Sequence, residues 1–410
     1  MQPPTPSTVP STGGGATSSQ SPIEVTTTNK NHQTTTVTLT SPSTGDSLLP
    51  FDLIIEILCR LPVKSLMQFQ CVCKSWKSLI SNDYKFAKKH LHMSLNCPRQ
   101  SRHHSIQKSV GGSKGKCWDL PISSFFNAVS DDAIIAQTKL RYPPILNVGC
   151  FKAVGSCHGI VCFEIPHFVV FWNPSIGKFK ISPALENGSP LRTSIKYGFG
   201  YDHCNDNYKM VAISVYDDPK TEVYVHTLGT NCWRRIQEFP YGVPIGDESG
   251  KFVGGALNWV VRENPKKLFV VSLDLGNESY QEILQPDYGE VKLIGLTLGE
   301  FRDCLCIFAH SSKLIVDVWI MKEYGKKDSW NKLFTIPHIE DLGRPAVNFS
   351  PCITVAFIYE DEQVLLVSRD IFEPKLVVYD SRSDTFKISK FENIKGRDPT
   401  IYIESLITTC

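Results

Sequence analysis

Polar sequence gives way at residue 49 to a dense helical pattern. Leu53, Ile54, Ile57, Leu58 and Leu61 fall at i, i+1, i+4, i+5 and i+8, the apolar side of a 3.6-residue period, and Asp52, Glu56 and Arg60 share the other side. Pro50 suits a first helical turn and Pro62 stops the run, so the spacing predicts a helix over roughly 51 to 60. Val63, Leu66, Phe69 and Val72 continue at three-residue steps, and Cys73, Trp76, Leu79 and Ile80 follow at helical spacing. No Gly or Pro interrupts Val63 to Cys97, so periodicity alone permits one long second helix. From about residue 117 the period shortens to two, with short apolar runs every ten residues or so between turn residues, which predicts an all-β remainder.

Within that remainder a weak unit recurs: an apolar strand, a turn, then an aromatic. The strands Phe168–Asn173, Val223–His226, Leu268–Leu273, Val316–Trp319 and Leu376–Asp380 lead to Phe179, Trp233, Tyr280, Trp330 and Phe386, and these aromatics are 54, 47, 50 and 56 residues apart. A period near fifty is kelch-like. Gly-containing turns into strands lie between the copies, at Gly155–Cys162 and Gly254–Trp259, with a matching strand at Leu305–Phe308. One such strand plus one hairpin per fifty residues is what a propeller blade requires, because a four-stranded sheet buries its faces only against its neighbours. The length predicts five or six blades; a large β-sandwich or incomplete barrel is the alternative.

Composition narrows the functional class. Residues 1–46 are mostly Ser, Thr, Pro, Gly, Gln and Asn and are expected to be a disordered tail. Residues 47–90 form the helical unit, and 91–117, with Gly111, Gly112 and Gly115, read as a linker to a β domain over 118–410. The formal net charge is only +2 and the pI near 7.9, so neither nucleic acid nor an anionic membrane is the expected partner. No apolar run is long enough for a membrane span and no secretory signal pattern is present, which predicts an intracellular protein of the cytoplasm or nucleus. In such a compartment the fourteen cysteines behave as thiols, with Cys162, Cys304 and Cys306 inside apolar strand patterns. Sequons at Asn187, Asn277 and Asn348 are then chance matches.

Catalytic and metal patterns fail on context. Gly155-Ser156-Cys157-His158-Gly159 imitates a nucleophile elbow, yet a strand rather than a helix follows it. Gly198-Phe199-Gly200 lacks the third glycine and the helix of a dinucleotide site. The pairs Cys71/Cys73, His103/His104, His203/Cys204 and Cys304/Cys306 do not combine at zinc-finger spacing. No cofactor, metal or catalytic set is therefore expected, and the lysines 74, 77, 85, 88 and 89 read as a solvated helix face.

The leading segment resembles the F-box, carried by the Leu49-Pro50 start, the Leu61-Pro62-Val63-Lys64-Ser65-Leu66 hinge and Cys73-Lys74-Ser75-Trp76. The β region resembles the F-box-associated interaction domain of plant F-box proteins of the F-box/kelch-repeat kind. It does so through Gly155–Cys162, Trp172-Asn173-Pro174-Ser175, Gly198–Asp202 with Tyr208–Val211, and Gly254–Trp259. The resemblance implies a three-helix F-box, with a helix break at about Gln70 that spacing does not show, followed by a kelch-like β-propeller. It further implies a substrate-recognition subunit of an SCF-type ubiquitin ligase, without catalysis of its own, bound to a Skp-family adaptor and through it to a cullin, with a target protein on the β domain. The adaptor-binding residues carried over are Leu49, Pro50, Leu53, Ile54, Ile57, Leu58, Leu61, Pro62, Leu66, Val72 and Trp76. A unit this small buries too little apolar surface to offset the entropy of ordering it, so it is expected to complete its burial on a partner. Aspartate at Leu58 or Leu61 is then expected to abolish docking and leave the β domain folded. A scaffold acting without ubiquitin transfer and a propeller enzyme are the competing readings.

Overall fold

Four helices open the described chain. Phe51–Leu58 forms α1, Val63–Phe69 α2, Lys74–Asn82 α3 and Tyr84–Leu95 α4. Pro62 does what its missing N–H dictates, ending α1 and standing directly before α2. The break between α2 and α3 falls at Gln70–Cys73, where the family resemblance put it. Asp83 separates α3 from α4, and its Oδ1 accepts the Phe86 amide at 2.9 Å as an N-cap. The computed structural model describes residues 49–96, 102–109, 116–127, 137–148, 151–185, 192–216, 221–245, 249–264, 267–311, 315–337, 353–359, 363–368, 375–389 and 399–409. The tail expected over 1–46 and the sequons at Asn187 and Asn348 lie outside them.

The rest of the described chain is a ring of six antiparallel sheets. Blade 1 comprises Lys152–Cys157, Ile160–Ile165, Phe168–Asn173 and Lys178–Ile181, and blade 2 comprises Arg192–Asp202, Asn207–Tyr216, Thr221–Thr227 and Arg234–Arg235. In blade 3 the first position is shared by Val243–Pro244 and Lys251–Val253, which pair with different stretches of Ala256–Asn264, followed by Lys267–Asp274 and Tyr280–Ile283. Blade 4 is Leu293–Phe301, Cys304–Ser311, Val316–Met321 and Trp330–Ile336, and blade 5 is Ile353–Tyr359, Gln363–Ser368, Lys375–Asp380 and Thr385–Ser389. Blade 6 closes the ring with the last strand of the chain, Thr400–Ile403, beside His103–Ser109, Lys116–Pro121 and Thr138–Lys139. The five aromatics of the sequence repeat all lie on, or next to, the fourth strand of blades 1 to 5.

Alternation explains why these strands are apolar on both sides. In blade 1 Val161 packs toward blade 6 and Cys162 toward blade 2; in blade 4 Leu305 faces blade 3 and Cys306 faces blade 5. Six inter-blade clusters result, one for each pair of neighbours. First strands of adjacent blades approach closely, and between blades 2 and 3 glycine makes room. A side chain on Gly198 or Gly250 would collide with the Trp259 indole, which instead fills the gap and donates from Nε1 to the Tyr197 carbonyl at 3.3 Å. A buried ion cluster joins the same blades: Lys209 Nζ contacts Asp202 Oδ2 at 2.9 Å, Glu278 Oε1 at 3.1 Å and the Leu275 carbonyl at 2.6 Å.

The expected linker over 91–117 is different in the structure. It holds the last turn of α4, the blade 6 strand His103–Ser109 and the start of Lys116–Pro121. Ser105 and Gln107 on that strand are buried although polar, which is why the segment reads as a connection in sequence. The C-terminal stretch beyond Ile403 is held by Asn173 of the Trp-Asn-Pro-Ser motif. Its Nδ2 donates to the carbonyls of Ser405 at 3.0 Å and Ile407 at 2.8 Å, while its Oδ1 accepts the Ser175 amide at 2.9 Å. Gly159, at φ +86°, lets Ile403 and Ser405 pass where a Cβ would meet the Ile403 carbonyl at 2.6 Å. Asn173→Ala leaves buried carbonyls without a donor, and a loss of about 2–4 kcal/mol in unfolding free energy is expected from urea denaturation, with earlier proteolysis at the C-terminus.

Candidate functional site

The sequence gathers Leu53, Ile54, Ile57, Leu58 and Leu61 into one stripe, and the structure divides it in two. Adjacent helical residues point about 100° apart, so a stripe containing i and i+1 twice is too wide for one flat surface. Leu58 is 1% exposed, with Ile54 and Leu61 partly buried beside it; Leu53 and Ile57, on the neighbouring stripe, are 49% and 51% exposed. Leu66 of α2 is wholly buried and Trp76 of α3 half-buried, its ring meeting Phe69 edge-on at 5.8 Å. Leu49, Pro50, Pro62 and Val72 are exposed, Val72 at 61%. Of the eleven residues carried over, then, Leu49, Pro50, Leu53, Ile57, Pro62 and Val72 face outward, while Leu58 and Leu66 belong to the interior. Two exposed apolar neighbours were missed, Phe51 and Met67.

The interior they join is not the module's own. Leu58, Val63, Leu66, Leu79, Ile80, Phe86 and Leu91 share one continuous core with Val154, Cys162, Phe171, Phe199 and Leu406 of the propeller. The expectation that the helical unit completes its burial on another polypeptide is corrected to this extent: its inner stripe is sealed by its own chain. Aspartate at Leu58 therefore disrupts a shared core and does not isolate docking.

Polar contacts fix the seat. Arg102, immediately ahead of the strand His103–Ser109, donates from Nη1 to Ser94 Oγ at 2.7 Å, lies 3.0 Å from His90 Nε2, and reaches the Arg60 carbonyl through Nη2. Glu404 accepts the Val63 amide through Oε2 at 3.4 Å, and its other oxygen is 3.5 Å from His104 Nε2. From α4, Tyr84 Oη donates to Asp206 Oδ1 at 2.9 Å, and Lys88 Nζ meets the same oxygen at 2.5 Å and Tyr201 Oη at 3.0 Å. Hydrogen bonds from Lys88, then Tyr201, hold the Asp206 carboxyl down at about 2. Asp206 sits in the turn between the first two strands of blade 2, so the propeller grips α4 by a hairpin. A cleft of about 240 Å³ remains between Ile80–Ala87 and Leu406, with Lys178 and Thr408 on its wall. Arg102, Asp206 and Glu404 are single polar residues outside any period, and nothing in the sequence signals them.

Other candidate chemistry resolves into structure. Cys157 ends the first strand of blade 1, buried, and burial pushes its thiol well up, away from a nucleophile. Among the described residues no three His, Cys, Asp or Glu side chains gather as a metal site, and no helix is long and apolar enough to cross a membrane.

Comparison with known proteins agrees with this division. The F-box domain family matches residues 47–88, and the F-box associated beta propeller domain family matches 122–409. An F-box/kelch-repeat protein of Arabidopsis thaliana is 31% identical over 371 residues, covering 88% of this chain and 95% of the relative. The Arabidopsis F-box protein CPR1 is 27% identical over 392 residues, covering 88% of each chain. Among solved structures, TolB from Acinetobacter baumannii aligns with a TM-score of 0.46 at 11% identity, over 78% of this chain and 73% of that one.

The joint carries a pH signature. His90 is fully buried, and burial, with the Arg102 charge, holds its imidazole down at about 4 despite the Leu61 carbonyl at 2.9 Å; burial likewise holds His158 at about 4. Both are lower than in the unfolded chain, so below about 6.5 the unfolded state binds more protons and stability falls as pH drops toward 4. His104 works oppositely: burial opposes its charge, yet Asp119 at 3.0 Å and Glu404 raise it, so its contribution is complete at acid pH and lost as pH rises. Thermal unfolding from pH 7 to 5 is expected to show net acid destabilisation. His90→Gln should remove about 2 kcal/mol of that change, read from the unfolding free energy at each pH.

Proposed function

The chain belongs to the F-box proteins that carry an F-box associated β-propeller domain, and we propose that it is the substrate-recognition subunit of an SCF-type ubiquitin ligase. In this reading the F-box binds a Skp-family adaptor, the adaptor binds a cullin, and the propeller holds a target protein for ubiquitination in the cytoplasm or nucleus. The chain contributes no catalytic residue; it raises the rate by holding the target at high effective concentration and in a fixed orientation.

The observation that carries the reading is the exposed stripe Leu53 and Ile57, with Phe51 and Met67 also exposed, on helices whose other apolar side chains are already buried or half-buried, and Val72 exposed in the turn after α2. Exposed leucine and isoleucine four residues apart on one helix are the anchors a helical docking surface uses. The joint adds to it. Because α1, α2, α3 and α4 share a core with the ring, adaptor and target are held by one body and not by two bodies on a tether.

Leu53→Asp and Ile57→Asp place a charge on the outer stripe only. Each is expected to weaken adaptor binding about hundredfold or more in a titration, with the urea midpoint unchanged. Leu66→Asp, by contrast, should unfold the helical unit. Undiminished adaptor affinity in both outer-stripe variants would reject this docking surface. Co-purification with adaptor and cullin, followed by ubiquitination of captured partners in vitro, separates a ligase subunit from a scaffold: capture without ubiquitin transfer supports the scaffold.

A further inference from the structure

The end of the propeller away from the helices carries an apolar patch that neither folding nor the adaptor accounts for. In each four-stranded blade the turns joining strands one to two and three to four share one end, and the blade-to-blade connections lie at the other. Asp206, in the first turn of blade 2, and Lys178, at the start of the fourth strand of blade 1, both meet the helical unit, which fixes the end it occupies. Among the described residues the propeller exposes five large apolar side chains. Four of them, Tyr241, Leu284, Val291 and Ile294, lie on or beside the connections into blades 3 and 4, at the opposite end.

Those two connections converge on one strand. The Tyr241 ring packs edge-on against Phe269 at 5.6 Å, while Gln285 Nε2 donates to the carbonyl of the preceding residue, Leu268, at 2.7 Å. Tyr241 is held in the left-handed region at φ +65°, a conformation that glycine or asparagine would take more cheaply than a bulky side chain. The turn nevertheless presents a tyrosine that is 54% exposed, and Leu284 is 55% exposed. Apolar side chains scattered singly over a surface need no explanation, but a cluster of them rimmed by charge marks an interaction site. This rim is acidic. From Glu282 to Ile294 the exposed charges are Glu282, Asp287, Glu290 and Lys292, three carboxylates to one ammonium, and the neighbouring Glu263 and Lys267 pair with each other at 2.6 Å.

We infer that this patch over blades 3 and 4 is where the propeller holds its target, and that it takes an extended segment whose apolar side chains are flanked by lysine or arginine. The inference deepens the substrate-recognition reading given above, and rests on it in taking the occupant to be a target of the ligase. Tyr241 and Leu284 supply the apolar anchors, and the carboxylates select the flanking cations and speed the encounter. A target bound there sits at the end of the ring opposite the adaptor, so the two partners do not compete.

The full chain is panned with a library of random linear peptides. Enriched sequences are then titrated against it, against Tyr241→Asn, which keeps the left-handed turn, and against Leu284→Ser. The enriched peptides are expected to combine apolar residues with Lys or Arg, to bind each variant about tenfold or more weakly, and to lose affinity as salt is raised. Glu282→Lys combined with Glu290→Lys should turn selection away from basic sequences. Adaptor affinity and the urea midpoint should be unchanged in all of these variants, and saturating adaptor should leave peptide binding intact. Acidic or uncharged enriched sequences, equal affinity for the variants, or displacement of the peptide by adaptor would overturn the assignment. So would a dimer in sedimentation that Leu284→Ser dissociates, because a second copy of the chain would then be the occupant. Selection that persists in a chain unable to bind adaptor would uphold the patch and count against the ligase reading, whereas adaptor binding without patch-dependent selection would overturn the patch alone.

Discussion

The structure depends on the return of residues 400–409 to the start of the described chain. Thr400–Ile403 supplies the first strand of blade 6, without which the ring has an open edge, and the residues just beyond support the helices. Glu404 accepts the Val63 amide and faces His104; Leu406 enters the core shared with α1 to α4; Ser405 and Ile407 are held by Asn173. Ring closure and seating of the helices are thus one event. A defect in either is felt by the other, because the same backbone stretch serves both.

The helical unit is placed by this arrangement in a different thermodynamic position from a free module. Alone, four short helices would bury too little to offset their ordering entropy. Here the inner stripe of α1 and the buried faces of α2, α3 and α4 extend a core that already runs through blades 1 and 2. The polar contacts of Arg102, Glu404 and Asp206 add direction to what packing alone would leave free to slide. What remains exposed is therefore a surface in excess of folding requirements, and that excess calls for a functional explanation.

Local features were legible in the sequence and distant ones were not. Pro50 and Pro62 bracketed α1 to within two residues, because proline acts on its own backbone. The repeat near fifty residues found the third and fourth strands of five blades, since each is a hairpin closed within a few residues. Blade 6 escaped because its strands come from opposite ends of the described chain, so no period connects them, and because His103–Ser109 buries polar Ser105 and Gln107. The apolar stripe of α1 was visible, but its division between inside and outside depends on where blade 1, blade 2 and Leu406 lie, which no helical period encodes. Trp172-Asn173-Pro174-Ser175 stood out as a motif, and its task, holding a segment 232 residues away, became visible only in three dimensions.

A preassembled helical unit changes what docking must accomplish. If the module folded only on its partner, the ordering of α1 to α4 would be subtracted from the binding free energy, and affinity would be low for the area buried. With Leu58, Leu66, Leu79 and Phe86 already packed, that ordering is complete once the propeller closes, and the outer stripe meets a partner as a rigid surface. Rigidity also extends to the far side of the molecule, since any body bound to the ring inherits the orientation of the helices. For the positioning role proposed above, this is the property that matters: the angle between adaptor and target is set by a hydrophobic core and not by the reach of a linker.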